Sequence, residues 1–252
     1  MSIRTRRDLL LLRVTRDRLL TVSCDAAGGI GSKPNDKVRA DPRLLGKMTA
    51  RVALMELLAI GATPIALAGT LSVEPKPTGD QVVKGMLAEV RYARLRNVQI
   101  LASSEKNVKV SQTGIGVTAI GFVSASNLKI GLCRSGDEVV AIGEPRVGQE
   151  VLRGEASRKN ADTLDVIKVR EKSFVHEIIP VGSRGILKEA RTMAGDSGLS
   201  IRLLESQQVD LKKSAGPATV LVCALRAGSF RKVEALLDKP TRIIGHLRRR
   251  QA

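Results

Sequence analysis

The chain has 252 residues, enough for one large or two modest domains, and its 43% apolar content is that of an ordinary globular protein. No apolar run approaches a membrane span, and with 2% aromatics and no Trp the core must be built from Leu, Val, Ile and Ala. The balance of 42 basic against 25 acidic residues, +17, favours anionic partners, but the scattered basic residues and missing stacking aromatics argue against nucleic acid and for polyphosphate.

The basic stretch Met1-Ser2-Ile3-Arg4-Thr5-Arg6-Arg7-Asp8 precedes Leu9-Leu10-Leu11-Leu12, which Arg13 interrupts without a small-residue cleavage site. A cytoplasmic protein is therefore expected rather than a secreted one. Residues 8–12 and 20–24 read as two strands joined by a polar turn near Thr15-Arg16-Asp17.

At the end of the second strand stands Asp25, followed by Gly28, Gly29 and Gly31, then Ser32 and Lys33. Glycines let backbone N–H groups turn inward toward an anion, lysine adds a point charge, and a carboxylate beside phosphate suits magnesium. The pattern fits a phosphate-and-metal loop or a glycine-rich turn between strands. Asp36, after Pro34-Asn35, is either a turn residue or an acid that positions an attacking hydroxyl.

Asp41-Pro42 marks a helix start, and Leu44, Leu45, Met48, Val52, Met55 and Leu58 recur at helical spacing until Gly61. Ile65 to Val73 reads as a strand. Thr78 with Gln81 predicts a capping box for a helix carrying Val82, Val83, Met86, Leu87 and Val90. Val98 to Ala102, Ile115 to Val123 and Glu138 to Ile142 read as strands, and the alternation predicts an α/β or α+β domain. Gly143-Glu144-Pro145 and Gly148 place a boundary between domains 1–145 and 146–252.

In the second half, Glu150 to Lys159 reads as a helix and Val166 to Val169 as a strand. Ile186 to Ala194 is a helix, Leu199 to Leu203 and Thr219 to Leu225 are strands, Ser229 caps a helix through Leu237, and Arg242 to Leu247 is a last strand. Cys24, Cys133 and Cys223 lie in or beside apolar runs and are expected to be buried free thiols.

Three acids stand out. Asp25 and Glu105 each follow a strand, and Glu56 lies in the apolar run Ala53 to Ala59. On its own helix Glu56 is expected to face solvent; if instead it converges with Asp25 and Glu105, the three make a magnesium cluster suited to phosphoryl transfer.

Several of these motifs carry a resemblance. Leu54-Met55-Glu56-Leu57-Leu58-Ala59-Ile60-Gly61-Ala62-Thr63-Pro64 resembles the Asn-Asp-Leu-x-Ala-x-Gly-Ala-x-Pro helix of the aminoimidazole ribonucleotide synthetase superfamily, with Glu56 at the metal-binding Asp and Met55 replacing Asn. Asp25 with Gly29-Ile30-Gly31-Ser32-Lys33 is similar to its Asp-Gly-Val-Gly-Thr-Lys loop. Ser103-Ser104-Glu105 keeps the acid of its Gly-Gly-Asp/Glu motif without the glycines, and Thr113-Gly114-Ile115-Gly116-Val117-Thr118 resembles its Thr-Gly strand. His176 to Ile186, Asp210 to Thr219 and the Asp-Ala-Ala-Gly-Gly-Ile-Gly form of the first loop look like the α-ribazole kinase branch.

The resemblance implies a two-domain α+β fold, with an N-terminal α/β domain that dimerises through a shared β-barrel and binds ATP near the subunit interface. It implies a magnesium- and ATP-dependent kinase for a small nucleoside, with α-ribazole phosphorylated on its 5′-hydroxyl. A thiamine monophosphate kinase-like or cyclo-ligase reaction is the alternative, and a basic nucleic-acid-binding protein the remote one. Asp25, Glu56 and Glu105 would hold Mg²⁺. Gly28, Gly29, Gly31, Ser32 and Lys33, with Thr113 and Gly114, would bind ATP, and Asp36 or one of the metal ligands, Asp25 among them, would position the hydroxyl. His176 would contact the nucleoside or act as base, unless it is structural. Ser183, Arg184, Ser214 and Gly216 would form substrate loops, with Ser183 as a helix cap the alternative reading.

Overall fold

The computed structural model describes residues 3–250. The chain divides into two compact units, Met1–Leu58 with Ala62–Asn127, and Ala59–Gly61 with Leu128–Ala252.

The first unit is a six-stranded sheet in the order β1-β2-β3-β8-β6-β7. β1 (Ile3–Arg6), β2 (Leu9–Arg13), β3 (Arg18–Gly28) and β8 (Gly114–Ser124) are antiparallel neighbours, β6 (Thr63–Leu71) is antiparallel to β8, and β7 (Gln99–Ser104) runs parallel to β6. Two helices cover one face. α1 (Pro42–Ala59) starts where Asp41 Oδ1 accepts the Arg43 N–H at 2.6 Å, and it meets the sheet where Ser23 Oγ donates to Ala53 O at 2.7 Å. α2 (Asp80–Tyr92) lies over β6, where a Cβ on Gly69 would sit 3.3 Å from the Met86 thioether.

Period-two alternation gives the sheet two faces. The covered face buries Leu9, Leu11, Leu19, Val117, Ala119 and Leu67. The other presents Leu10, Leu12, Leu20, Val22, Ile120, Phe122 and Ala68 half-buried and Leu101 74% exposed, in register across the strands. The sheet is open, with β1 and β7 as edges, and no closed barrel is present among the described residues.

The second unit is a five-stranded sheet in the order β10-β12-β9-β13-β11, built from β9 (Glu138–Gly143), β10 (Val175–Pro180), β11 (Leu199–Leu203), β12 (Val220–Leu225) and β13 (Thr241–Arg249). α5 (Gly185–Asp196) packs Ile186, Ala190 and Met193 against Val139, Ala141, Val220 and Val222. The remaining helices are α3 (Gln149–Ala156), α4 (Thr163–Arg170) and α6 (Phe230–Glu234).

Several expectations change. The second unit takes up the chain at Leu128, and β9 pairs on both sides within the second sheet. Val166–Val169 lies in helix α4, not a strand: Asp162 accepts the N–H groups of Leu164 and Asp165, and Asp165 reciprocates at the Asp162 N–H. α2 has no Thr78–Gln81 capping box, since it begins at Asp80 with no side-chain cap and the Thr78 hydroxyl is turned to Glu74. Cys133 and Cys223 are buried free thiols, but Cys24 is exposed, because it sits on the uncovered face of β3.

Candidate phosphate-binding site

The glycine loop, with the short parallel strands β4 (Ile30–Gly31) and β5 (Val38–Arg39), is lashed to residues 111–113. Gly29 N–H donates to Thr113 O at 2.8 Å, and Asn35 N–H donates to Ser111 O at 3.0 Å. Asp36, 7% exposed, accepts from Thr113 N and Lys33 N, both at 2.8 Å, and from Thr113 Oγ1 at 2.7 Å. Gly31 is required here: a Cβ would fall 2.5 Å from Thr113 Oγ1 and 2.8 Å from Asp36 Oδ2.

This bracing reassigns two expected roles. Asp36 is the clamp of the loop, its carboxylate already engaged by three donors, rather than a group free to position a hydroxyl. The Gly29 amide is spent on Thr113 and is not available to a phosphate. Gly28 and Ser32 are exposed, and Gly114 opens β8, its carbonyl accepting from Ser72 N–H at 2.8 Å.

Lys33 forms an ion pair with Glu74, a residue that sequence reasoning passed over. Their side chains are 17% and 33% exposed. Thr78 Oγ1 donates to the other Glu74 oxygen at 2.5 Å. Burial pushes the Glu74 carboxyl up, but the hydrogen bonds from Lys33 and Thr78 outweigh it and hold it below the usual carboxylate range. The available signal was an acid at a strand's end before Pro75-Lys76-Pro77-Thr78-Gly79.

The acids expected to gather around magnesium do not do so. Among the described residues, no three His, Cys, Asp or Glu side chains stand together as a metal site. Asp25 lies on the covered face of β3; Glu105 follows β7, three strands away, which is about 14 Å at ordinary strand spacing. The Glu105 carboxylate is folded onto its own loop, accepting from Asn107 N at 2.7 Å and Val108 N at 3.1 Å, and these bonds lower its pKa. Glu56 is 8% exposed, not solvent-facing. Burial lifts the Asp25 carboxyl from 3.8 to about 6, opposed by a hydrogen bond from the Ala26 backbone.

The remaining expected residues belong to the second unit. His176, on β10, has Nδ1 2.7 Å from Asp137 Oδ2, and Asp137 also accepts the Arg134 N–H, so the imidazole is tied into the fold. The two expected substrate loops do meet: Ala215 N–H donates to Gly182 O at 3.2 Å, and a Cβ on Gly216 would lie 3.8 Å from Ser183 N. Ser183 and Arg184 are exposed, and Ser214 is half-buried with its hydroxyl accepting the Gly216 N–H at 3.4 Å. Ser183 does not cap α5, whose N-cap position is Arg184.

Residues 6–123 match the family described as AIR synthase related protein, N-terminal domain. Over its length the chain has the fold of the solved structures that follow. Thiamine-monophosphate kinase from Stenotrophomonas maltophilia K279a is similar at 18% identity with a TM-score of 0.66, over 99% of this chain and 90% of that one. AaThiL complexed with AMPPCP and TMP is similar at 15% identity and TM-score 0.63, over 97% and 85%. Hydrogenase maturation protein HypE in complex with ATP is similar at 18% identity and TM-score 0.60, over 91% and 77%. No curated protein sequence matches the chain.

Proposed function

We propose that the protein is an ATP-dependent phosphotransferase acting on an alcohol, with α-ribazole the acceptor and α-ribazole 5′-phosphate the product. The observation that carries this reading is the braced loop 28–36, which presents Lys33 beside a second, partly exposed carboxylate in a fold shared with ATP- and AMPPCP-bound proteins. Asp36 and Thr113 fix the loop, Lys33 receives phosphate oxygens, and Asp25 would hold a magnesium ion accompanying the triphosphate, which would neutralise phosphate charge. Phosphoryl transfer needs positioning and charge neutralisation rather than a covalent enzyme intermediate, which suits a site with no nucleophile of its own.

The half-exposed apolar face carrying Leu20, Val22, Ile120, Phe122 and Leu101 supports a homodimer closing its sheets against each other. The direct test is ATP turnover in the presence of α-ribazole, thiamine monophosphate and a panel of nucleosides. Turnover with α-ribazole and a phosphorylated product supports the reading. Turnover confined to thiamine monophosphate moves the protein to the kinase of that substrate, and ATP consumption without a phosphorylated alcohol excludes the phosphotransferase class.

A further inference from the structure

Transfer of a phosphoryl group to an alcohol requires a group that orients the hydroxyl and takes its proton. Asp36 cannot serve, because it is 7% exposed and its oxygens already accept three hydrogen bonds. Glu105 is turned onto the amides of Asn107 and Val108, and His176 onto Asp137.

Glu74 is differently placed. A carboxylate has about four acceptor positions, and the bonds to Lys33 and Thr78 occupy one on each oxygen. The side chain is 33% exposed, so its remaining positions are open to a ligand. Glu74 also sits where two strands end. The Glu105 N–H donates to both Leu71 O and Val73 O, and a Cβ on Gly79 would lie 2.9 Å from both Glu74 O and Ser104 Oγ. The segment 74–79 is thus pressed onto the end of β7, which fixes the backbone that carries Glu74. Lys33 has three N–H donors; one on Glu74 leaves two for phosphate oxygens, so the ammonium joins the carboxylate to the transferred group.

We propose that Glu74 is the catalytic residue that accepts the hydroxyl proton of the acceptor alcohol, with Lys33 and Thr78 as the positioning residues that hold its carboxylate beside the phosphate loop. This rests on the phosphotransferase reading. In the step, the alcohol oxygen forms a bond to the γ-phosphorus, and the bond from that phosphorus to the β–γ bridging oxygen breaks. The bridging oxygen keeps the electron pair as ADP leaves, and the hydroxyl proton passes to Glu74 and then to water.

The experiment uses the full chain with ATP and α-ribazole, and compares wild type with E74Q, E74D and T78V by kcat, by KM and by nucleotide affinity in titration calorimetry. E74Q is expected to lose about a hundredfold or more in kcat while its nucleotide Kd stays within about threefold of wild type, with E74D recovering part of the loss and T78V losing about tenfold. E74Q turning over within about threefold of wild type overturns the assignment while leaving the phosphotransferase reading intact. A loss that falls on nucleotide affinity instead of kcat also overturns it. If E74Q does not fold, E74D decides: reduced kcat at unchanged Kd supports the assignment, and unchanged kcat defeats it. A wild type that binds ATP but phosphorylates no alcohol removes the underlying reading and this assignment with it.

Discussion

At the residue scale, Asp25 is the most informative side chain. Burial lifts its carboxyl from 3.8 to about 6, so the folded state holds this proton more tightly than the unfolded chain. The ionised form therefore costs stability, a cost fully present above about pH 6 and absent below about pH 4. A rise of that size corresponds to about 3 kcal/mol. D25N is thus expected to melt several degrees above wild type near neutral pH, to lose that advantage near pH 4, and to lose ATP turnover. Thermal melts at the two pH values check this, and a D25N variant less stable than wild type at neutral pH contradicts it. The sequence exposed Asp25 because an acid at the end of an apolar strand before three glycines is an unusual local pattern. It did not expose the Lys33–Glu74 pair, whose partners are 41 residues apart and meet only through the tertiary fold. Glu56 was misread as solvent-facing because helical spacing gives its angular position but not what packs over it.

At the scale of elements, legibility followed the strength of local chemistry. α1 could be read from Asp41, Pro42 and the leucine spacing, since cap and periodicity agree. α4 could not: Val166 to Val169 is a short apolar run that fits strand or helix equally, and the deciding capping box uses Asp162 with Asp165 rather than the usual Glu or Gln. The close crossing of α1 and α2 depends on two glycines. A Cβ on Gly85 would fall 2.0 Å from Arg43 O, and one on Gly46 2.1 Å from Val82 O, both against backbone that has nowhere to go. G85A is expected to lose about 3 kcal/mol or more in denaturant unfolding, whereas G28A, whose Cβ meets nothing within 4 Å, should change stability little. Equal losses in the two variants would contradict that view of the crossing. The buried Arg51–Glu89 pair, with side chains 1% and 0% exposed and 3.1 Å apart, spans the same crossing. Removing one partner would leave the other charge buried and uncompensated.

At the scale of the whole molecule, the two units each close a core around their own sheet, and the loop that carries the proposed phosphate chemistry is braced by first-unit contacts: Asp36 to Thr113, Asn35 to Ser111 and Lys33 to Glu74. The sheet to which β9 belongs is not legible locally; its pairing with β12 and β13 assigns it. The charge of +17 is consistent with drawing in a polyanionic nucleotide. The central claim is that this loop binds the nucleotide's phosphates through Lys33. Titration of ATP in magnesium buffer into wild type and K33M tests it: loss of one charge-assisted contact should weaken binding about tenfold to a hundredfold, while ATP affinity unchanged in K33M would contradict the account.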